Sequence, residues 1–142
     1  MSDKLDIKPL IQAFKKARRT LPIKLGQGAV LFFKDNIRKR QGFLDQRLEK
    51  WKPLKRKRRG KGGRIKRGQD ILKDTGTLLK SISRVITTFK EIRIATKGVD
   101  YGVYHNEGIG VKQRQFIGNS KQLEKALQRK IDRELRGFLK KA

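Results

Sequence analysis

The sequence predicts an α+β fold with N-terminal helices, a small antiparallel β-sheet (a hairpin plus one short strand) and a C-terminal amphipathic helix. Apolar residues recur at helical spacing near both ends of the chain, whereas two runs of β-branched residues in the middle alternate with period two. Glycines separate short apolar runs between residues 74 and 118, which is typical of a compact core with surface loops. A chain of 142 residues has the length of one domain, so we expect a single domain over residues 1–142, with a basic flexible loop at about 50–68.

Two helices are predicted in the N-terminal region. Apolar residues at helical spacing from Ile7 onward indicate the first helix, Asp6 is suited to cap its start, and Pro22 predicts its end because proline lacks a backbone N–H. The second helix is predicted to begin at about Ile23. Its apolar face is formed by Val30, Phe33 and Ile37. The pattern leaves open whether this helix continues beyond Gly42 or breaks there.

The central region is predicted to form a helix followed by a β-hairpin. Residues 69–83 carry apolar side chains at helical spacing, and Thr75 or Asp74 suits the N-cap of this helix. Alternation of β-branched residues over 85–89 and 92–96 predicts two antiparallel strands joined by a tight turn.

The C-terminal third is predicted to contain a short helical turn, a third short strand and a long helix. The turn covers residues 101–105, and the strand covers residues 114–117. Asn119, with Gln122 three residues later, resembles a capping box that opens the long helix. The apolar stripe of this helix predicts packing in the core or between subunits, and it consists of Leu123, Ala126, Leu127, Ile131, Leu135, Phe138 and Leu139.

The charge of the chain points to anionic partners. The formal net charge is +26 and the isoelectric point is near 11.1, so the compact chain repels itself and attracts nucleic acid, acidic protein surfaces or anionic lipid. The lipid interpretation is the weakest, because the helices place charge on several faces instead of one. The apolar runs are too short to span a bilayer and no secretory signal pattern is present, so we expect a cytoplasmic compartment and no membrane partner.

Positive charge is densest in the basic loop. Like charges at this density cannot pack together, and the interspersed glycines raise the backbone entropy, so we expect a solvated segment that binds an anionic surface. The sequence does not distinguish DNA phosphates from an acidic protein partner. The candidate contact residues are Lys50, Lys52, Lys55, Arg56, Lys57, Arg58, Arg59, Lys61, Arg64, Lys66 and Arg67.

The residues that enzymes use for chemistry are sparse. The chain has no cysteine and a single histidine, His105, so a zinc-deaminase site or a thiolate metal site is excluded, and a metallohydrolase lacks further ligands. No phosphate-binding glycine loop with the required spacing is present. We therefore expect no enzymatic activity and no cofactor or metal. His105 is interpreted as structural, with its ring nitrogens bonded to a neighbouring backbone or tyrosine group.

Several short motifs occur in a fixed order along the chain. A tryptophan with a proline close behind is followed by I-L-x-x-T-G-x-L over residues 71–78, by Y-x-x-Y-H-x-x-G over residues 101–108, and by R-x-F-x-G over residues 114–118. This order resembles the phage virion-morphogenesis, or tail-completion, family. The residues that carry the resemblance are Trp51, Thr75, Gly76, Leu78, Tyr101, Tyr104, His105, Gly108, Arg114, Phe116 and Gly118.

The resemblance implies a non-enzymatic structural protein of the virion neck. Such a protein completes the tail or joins the head to the tail as a subunit of a homo-oligomeric ring around the DNA channel, next to portal, adaptor or tail proteins. It would be assembled in the host cytoplasm and located in the virion. Gly76 would allow a close backbone approach, and the tyrosines and His105 would pack a loop onto the hairpin. The chain departs from the family pattern at residues 111–113, where relatives commonly carry a proline, and in the strength of its basic loop.

A stand-alone basic nucleic-acid-binding protein is the alternative. Its support is the net charge, which fits both interpretations equally well. Trp51 is the only aromatic residue near the basic loop, and one aromatic ring is a poor platform for stacking bases. The ordered motifs therefore favour the neck protein.

Overall fold

The computed structural model describes residues 6–53, 71–72 and 76–141 and shows an α+β architecture. Its helices pack around two separate antiparallel sheets of two strands each. The elements in chain order are α1 (Lys8–Asp35), a π-helical segment (Asn36–Arg40), β1 (Gly42–Leu44), β2 (Leu48–Lys50), α2 (Thr77–Ser81), β3 (Ile82–Thr87), β4 (Ile92–Thr96), α3 (Tyr101–Glu107) and α4 (Lys121–Lys141).

The N-terminal region forms one helix where two were predicted. Pro22 lies inside α1 and is buried, so the prediction that it ends a helix is wrong. An interior proline costs about 3 kcal/mol, but α1 packs against β3, β4 and α4, and burial of this long face outweighs the lost hydrogen bond. Helix α1 begins at Lys8, close to the predicted start, but its N-cap residue is Ile7 and not Asp6 as predicted. The Asp6 carboxylate nevertheless accepts a hydrogen bond of 3.0 Å from the backbone N–H of Lys8.

The segment after α1 does not continue as a straight helix. The chain widens into the π-helical segment and then reverses at Gln41, whose φ of 51° lies in the left-handed region. The hairpin of β1 and β2 follows, in the register Gly42↔Lys50 and Leu44↔Leu48. Glycine is required at residue 42 because a Cβ atom there would lie 2.7 Å from the Cα of Lys50. This hairpin was not predicted.

The predicted central hairpin is confirmed as β3 and β4, although β3 covers Ile82–Thr87 and not residues 85–89. The two strands pair antiparallel from Ile82↔Thr96 to Thr87↔Ile92, with an irregularity near Arg84. The helix predicted over residues 69–83 is wrong in extent, because Thr77–Ser81 are the helical residues among those of this range that the structure describes, and Ile82 and Ser83 lie in a strand. Ile82 is β-branched and 1% exposed, so the buried sheet position favours a strand there. The N-cap of α2 is Gly76, and the caps predicted at Asp74 and Thr75 lie outside the described residues.

The predicted third strand is also wrong. Residues 114–117 form an irregular segment, because side chains from elsewhere bind the backbone groups that a strand would pair. The short helix predicted at residues 101–105 is confirmed as α3. The cap of α4 differs from the prediction, since Ser120, not Asn119, accepts the backbone N–H of Leu123 at 3.2 Å.

The core lies where α1, the π-helical segment, β1, α2 and β3 meet. The buried apolar residues that form it are Ala29, Phe33, Ile37, Phe43, Leu78, Ile82, Val99, Phe116 and Leu123. Helix α4 runs antiparallel to α1, so its end near Leu127 packs against this core, whereas Leu135 and Leu139 further along are 43% and 66% exposed. Within the described ranges, none of the helices combines the length and the apolar content that crossing a bilayer requires.

Candidate functional site

Several residues of the sequence motifs lie around or next to Phe116, which is completely buried. Trp51, Leu78, His105 and Gly118 come from four different parts of the chain and all lie in or against the core around this ring or in the segment that carries it. We define the Phe116 junction as Asn36, Trp51, His105, Asn106 and residues 114–118.

Two asparagines hold the backbone of the Phe116 junction in place. The Oδ1 atom of Asn106 accepts hydrogen bonds of 2.9 Å from the backbone N–H groups of both Phe116 and Ile117. The Nδ2 atom of Asn36, which is 0% exposed, donates a bond of 3.0 Å to the carbonyl of Phe116. The Oδ1 atom of Asn36 accepts a bond of 2.8 Å from Arg40. An irregular buried segment is stable only when its backbone groups are bonded in this way, so these amides replace the missing strand partner.

Trp51 and Gly118 complete the Phe116 junction. The indole Nε1–H of Trp51 donates a hydrogen bond of 3.0 Å to the carbonyl of Gln115, and the ring packs against the core. A Cβ atom at residue 118 would meet the movable side-chain amide of Gln115 and would touch the Phe43 ring at 3.4 Å, so Gly118 lets these two side chains pack closely against the backbone. Trp51 therefore has a structural role in this fold, and its indole N–H is already hydrogen-bonded within the chain.

The two ends of the basic loop are tied to the same place. The side-chain amide of Gln41 makes two hydrogen bonds to the backbone of Ile71. Its Oε1 atom accepts a bond of 2.6 Å from the Ile71 N–H, and its Nε2 atom donates a bond of 3.1 Å to the Ile71 carbonyl. The Gln41 carbonyl accepts the backbone N–H of Trp51 at 2.9 Å. Lys50 and Lys52 at the near end are exposed. The remaining predicted contact residues lie outside the described residues, and they are Lys55, Arg56, Lys57, Arg58, Arg59, Lys61, Arg64, Lys66 and Arg67.

His105 has a different environment from the predicted one. Its Nδ1 atom is buried without a hydrogen-bond partner among the described residues, so the prediction that both ring nitrogens are bonded is wrong. The backbone of His105 is hydrogen-bonded, because its carbonyl accepts a bond of 2.7 Å from the backbone N–H of Arg114. Burial of the imidazole, and next the positive charge of Arg114, lower the pKa of His105 below its ordinary value. Both effects disfavour the protonated form of the ring.

The tyrosines of the motif do not pack a loop onto the hairpin as expected. Tyr101 and Tyr104 are 45% and 48% exposed, although Tyr101 meets the His105 ring edge-on at 6.3 Å as its spacing predicted. The contact with the hairpin is made by Gly102, where a Cβ atom would lie 3.0 Å from both Leu78 and Thr96. The absence of a side chain lets α3 approach β4, and its last residue is followed by Gly108 as the C-cap.

Gly76 serves a conformational purpose different from the predicted one. Its φ of 74° lies in the left-handed region, and a Cβ atom at this residue would have no neighbour within 4 Å among the residues that the structure describes. A side chain here would strain the backbone at the entry to α2 and would meet no steric obstacle. The expected close backbone approach is therefore wrong for this residue.

No protein-family model, no curated protein and no solved structure matches the chain. The site is thus described by its own geometry. Across residues 6–53, 71–72 and 76–141, no three His, Cys, Asp or Glu side chains are grouped so that they could hold a metal ion. What the Phe116 junction provides is a rigid, hydrogen-bonded frame that joins the base of the basic loop to the core.

The sequence did not reveal the residues on which this frame depends. Asn36, Gln41 and Asn106 are not part of a recognisable motif, and their bonds reach across 80, 30 and 10 residues of sequence. The only local signal is weak. An asparagine one residue before Ile37 interrupts an apolar helical stripe, and a buried polar group of that kind needs a partner.

Proposed function

We propose that the protein is a structural component of a phage virion neck, which completes the tail or joins the head to the tail as one subunit of a ring around the DNA channel. The observation that supports this most directly is the Phe116 junction. Motif segments that resemble the tail-completion family in order along the chain also meet in space, with Trp51 bonded to Gln115 and His105 bonded to Arg114. Three motif segments, those that contain Trp51, His105 and Phe116, are therefore joined at one place in the fold.

The distribution of charge is consistent with such a ring. A net charge of +26 makes the isolated chain repel its own copies, so an anionic neighbour or the passing DNA would be needed to hold subunits side by side. A ring subunit joins its neighbours head-to-tail through two different surfaces. Trp51 and Ile71, on either side of the basic loop, are both hydrogen-bonded to Gln41, so a contact made by the loop would be transmitted to the folded core.

The test is the assembly of particles without the protein. Phage particles made in its absence are expected to contain complete heads and complete tails that do not join stably, and supplying the protein in trans restores joining. Electron microscopy and infectivity measure both outcomes. Normal infectious virions made without the protein would overturn the proposal.

A second arm of this test separates the neck protein from a stand-alone nucleic-acid-binding protein. The isolated protein is titrated with duplex DNA and with purified heads and tails over a range of salt concentrations. The glutamine variant at Lys55, Arg56, Lys57, Arg58 and Arg59 is expected to bind with lower affinity and a flatter salt dependence, because fewer counterions are released. A variant with five glutamines on α4 removes the same charge and serves as the control, at Lys125, Arg129, Arg133, Arg136 and Lys140.

The pattern of binding decides between the two functions. A neck protein binds heads or tails with an affinity that the loop variant weakens more than the α4 control variant does. A nucleic-acid-binding protein binds DNA equally tightly whether or not virion parts are present, and it loses affinity to a similar extent in both variants.

A further inference from the structure

An apolar cleft of about 300 Å³ lies between the N-terminal half of α1, the tip of the β3–β4 hairpin and the C-terminal half of α4. We call it the helix–hairpin cleft. Its walls are almost entirely apolar, and the residues used below are Phe14, Leu21, Phe89, Ile92, Leu135 and Phe138. The rings of Phe14 and Phe138 meet edge-on at 6.5 Å and join α1 to α4 along one side of the cleft.

The apolar walls of the helix–hairpin cleft remain open to solvent. Phe14 is 55% exposed, Phe89 is 58% exposed and Leu135 is 43% exposed. Leu139, one turn beyond Leu135 on α4, is 66% exposed and extends the apolar surface. Isolated exposed apolar residues are common, but a concave group that draws on three elements is typical of a binding surface.

The charge around the helix–hairpin cleft is strongly positive. The Arg18 guanidinium lies 5.4 Å from the centre of the Phe89 ring at the edge of the cleft. Residues 8–34, which span most of α1, contain seven lysines and arginines and no aspartate or glutamate. Among the carboxylates on the flanking elements, Glu134 is paired with Lys24 and Glu91 with Arg93, each at 2.7 Å, and Asp132 accepts a hydrogen bond from Gln128.

We propose that the helix–hairpin cleft binds an acidic amphipathic segment of a partner protein. Apolar side chains of this segment enter the cleft between Phe14 and Phe89, and its carboxylates pair with Arg18 and the neighbouring cations of α1. Recognition of an amphipathic helix by an apolar groove follows this general scheme, with anchors at i, i+3 or i+4, and i+7. The proposal is carried by the cleft and its charge, and it does not depend on the neck function.

Other occupants fit the cleft less well. A second copy of the chain would bring another +26 charges against the same basic surface, which like-charge repulsion disfavours. A nucleic acid would match the charge but has no apolar side chains to fill a cleft of this depth. A lipid surface is flat, whereas the cleft is a cavity enclosed on three sides by helices and a hairpin.

The experiment uses the full chain and three synthetic peptides of about 14 residues, roughly four helical turns. The first peptide carries leucines at i, i+3, i+4 and i+7 spacing and glutamates elsewhere, the second replaces the glutamates by lysines, and the third replaces the leucines by serines. Fluorescence anisotropy of labelled peptides measures the affinity. We expect the first peptide to bind and the other two to bind at least about tenfold more weakly, because each lacks one of the two complementary features.

Two pairs of variants locate the bound peptide. Phe89→Ser is expected to weaken binding of the first peptide at least about tenfold, whereas Val85→Ser, a comparably exposed residue of the same hairpin outside the cleft, leaves it unchanged. Arg18→Gln is expected to weaken binding and flatten its salt dependence more than Arg19→Gln does, since Arg18 lines the cleft and Arg19 does not. Circular dichroism and urea unfolding confirm that all four variants fold.

Each remaining outcome overturns the proposal. One is failure of the first peptide to bind at concentrations up to about 1 mM. Another is binding that Phe89→Ser does not alter. A third is binding of phosphatidylglycerol vesicles that is tighter than binding of the first peptide and is lost in Phe89→Ser. A fourth is self-association of the chain that is lost in Phe89→Ser. Because all measurements use the isolated protein, a negative result leaves the particle-assembly test of the neck function unaffected.

Discussion

The Phe116 junction and the helix–hairpin cleft are built from opposite kinds of residue. The Phe116 junction contains buried amides that bond an irregular backbone, and its central ring has no exposed surface. The helix–hairpin cleft contains aromatic and aliphatic side chains at helical spacing, and several of them are about half exposed. The difference teaches that a regular apolar pattern can leave its side chains exposed, as at Phe14 and Leu135, whereas the irregular, motif-rich segment places Phe116 in the stabilising core.

The most direct test of this difference is to truncate one aromatic ring in each region and to compare the losses of stability. Phe116→Ala is expected to lower the free energy of unfolding by about 3–5 kcal/mol, because it removes a large ring from the core and leaves a cavity. Phe89→Ala is expected to change it by less than about 1 kcal/mol, since that ring is 58% exposed. Urea unfolding followed by fluorescence measures both values. Equal losses in the two variants would show that the cleft is part of the stabilising core.

The second test removes one hydrogen-bonding side chain from the Phe116 junction. Asn106→Ala leaves the backbone N–H groups of Phe116 and Ile117 without their acceptor and is expected to lower the free energy of unfolding by about 1–3 kcal/mol. Asn106→Asp retains an acceptor oxygen and should recover most of this loss. Asn119→Ala, at an exposed position, is the control and should stay within about 0.5 kcal/mol of the parent. A similar loss in the alanine variants at residues 106 and 119 would contradict the bonding scheme.

The fold could be predicted from the sequence where the periodic patterns are long. The β3–β4 hairpin, α3 and α4 each follow from patterns in neighbouring residues. The prediction failed at Pro22, because the rule that proline ends a helix takes no account of the packing of α1 against distant strands and α4. It also missed β1 and β2, since strands of three residues are too short for alternation to show.

The candidate site could be predicted only in part. The motif residues Trp51 and Phe116 were identified, but their contact depends on a bond to Gln115 that spans 64 residues of sequence. The role of Asn106 was not visible, because no local rule distinguishes an asparagine that binds a distant backbone from one that faces solvent. Helical spacing found Leu135 and Phe138, but spacing alone does not tell a buried stripe from an exposed one.

The smallest expected effect is a pH dependence of stability that arises from His105. Its Nδ1 atom is buried in the Phe116 junction and has no hydrogen-bond partner among the described residues. His105 is the only histidine, so the part of a stability change between pH 6.5 and about pH 5 that is lost in a His105 variant belongs to this region and not to the cleft. Burial and the Arg114 charge lower the pKa of His105 in the folded chain, so the unfolded chain binds the proton more readily. The free energy of unfolding should therefore be at its full value above pH 6.5 and decline as the pH falls towards the folded-state pKa. In His105→Gln this decline should disappear, while the urea midpoint at high pH changes little. Urea unfolding of both proteins across this range, with an NMR titration of the single imidazole, measures the effect. A decline of equal size in the variant would assign the pH dependence to groups outside the Phe116 junction.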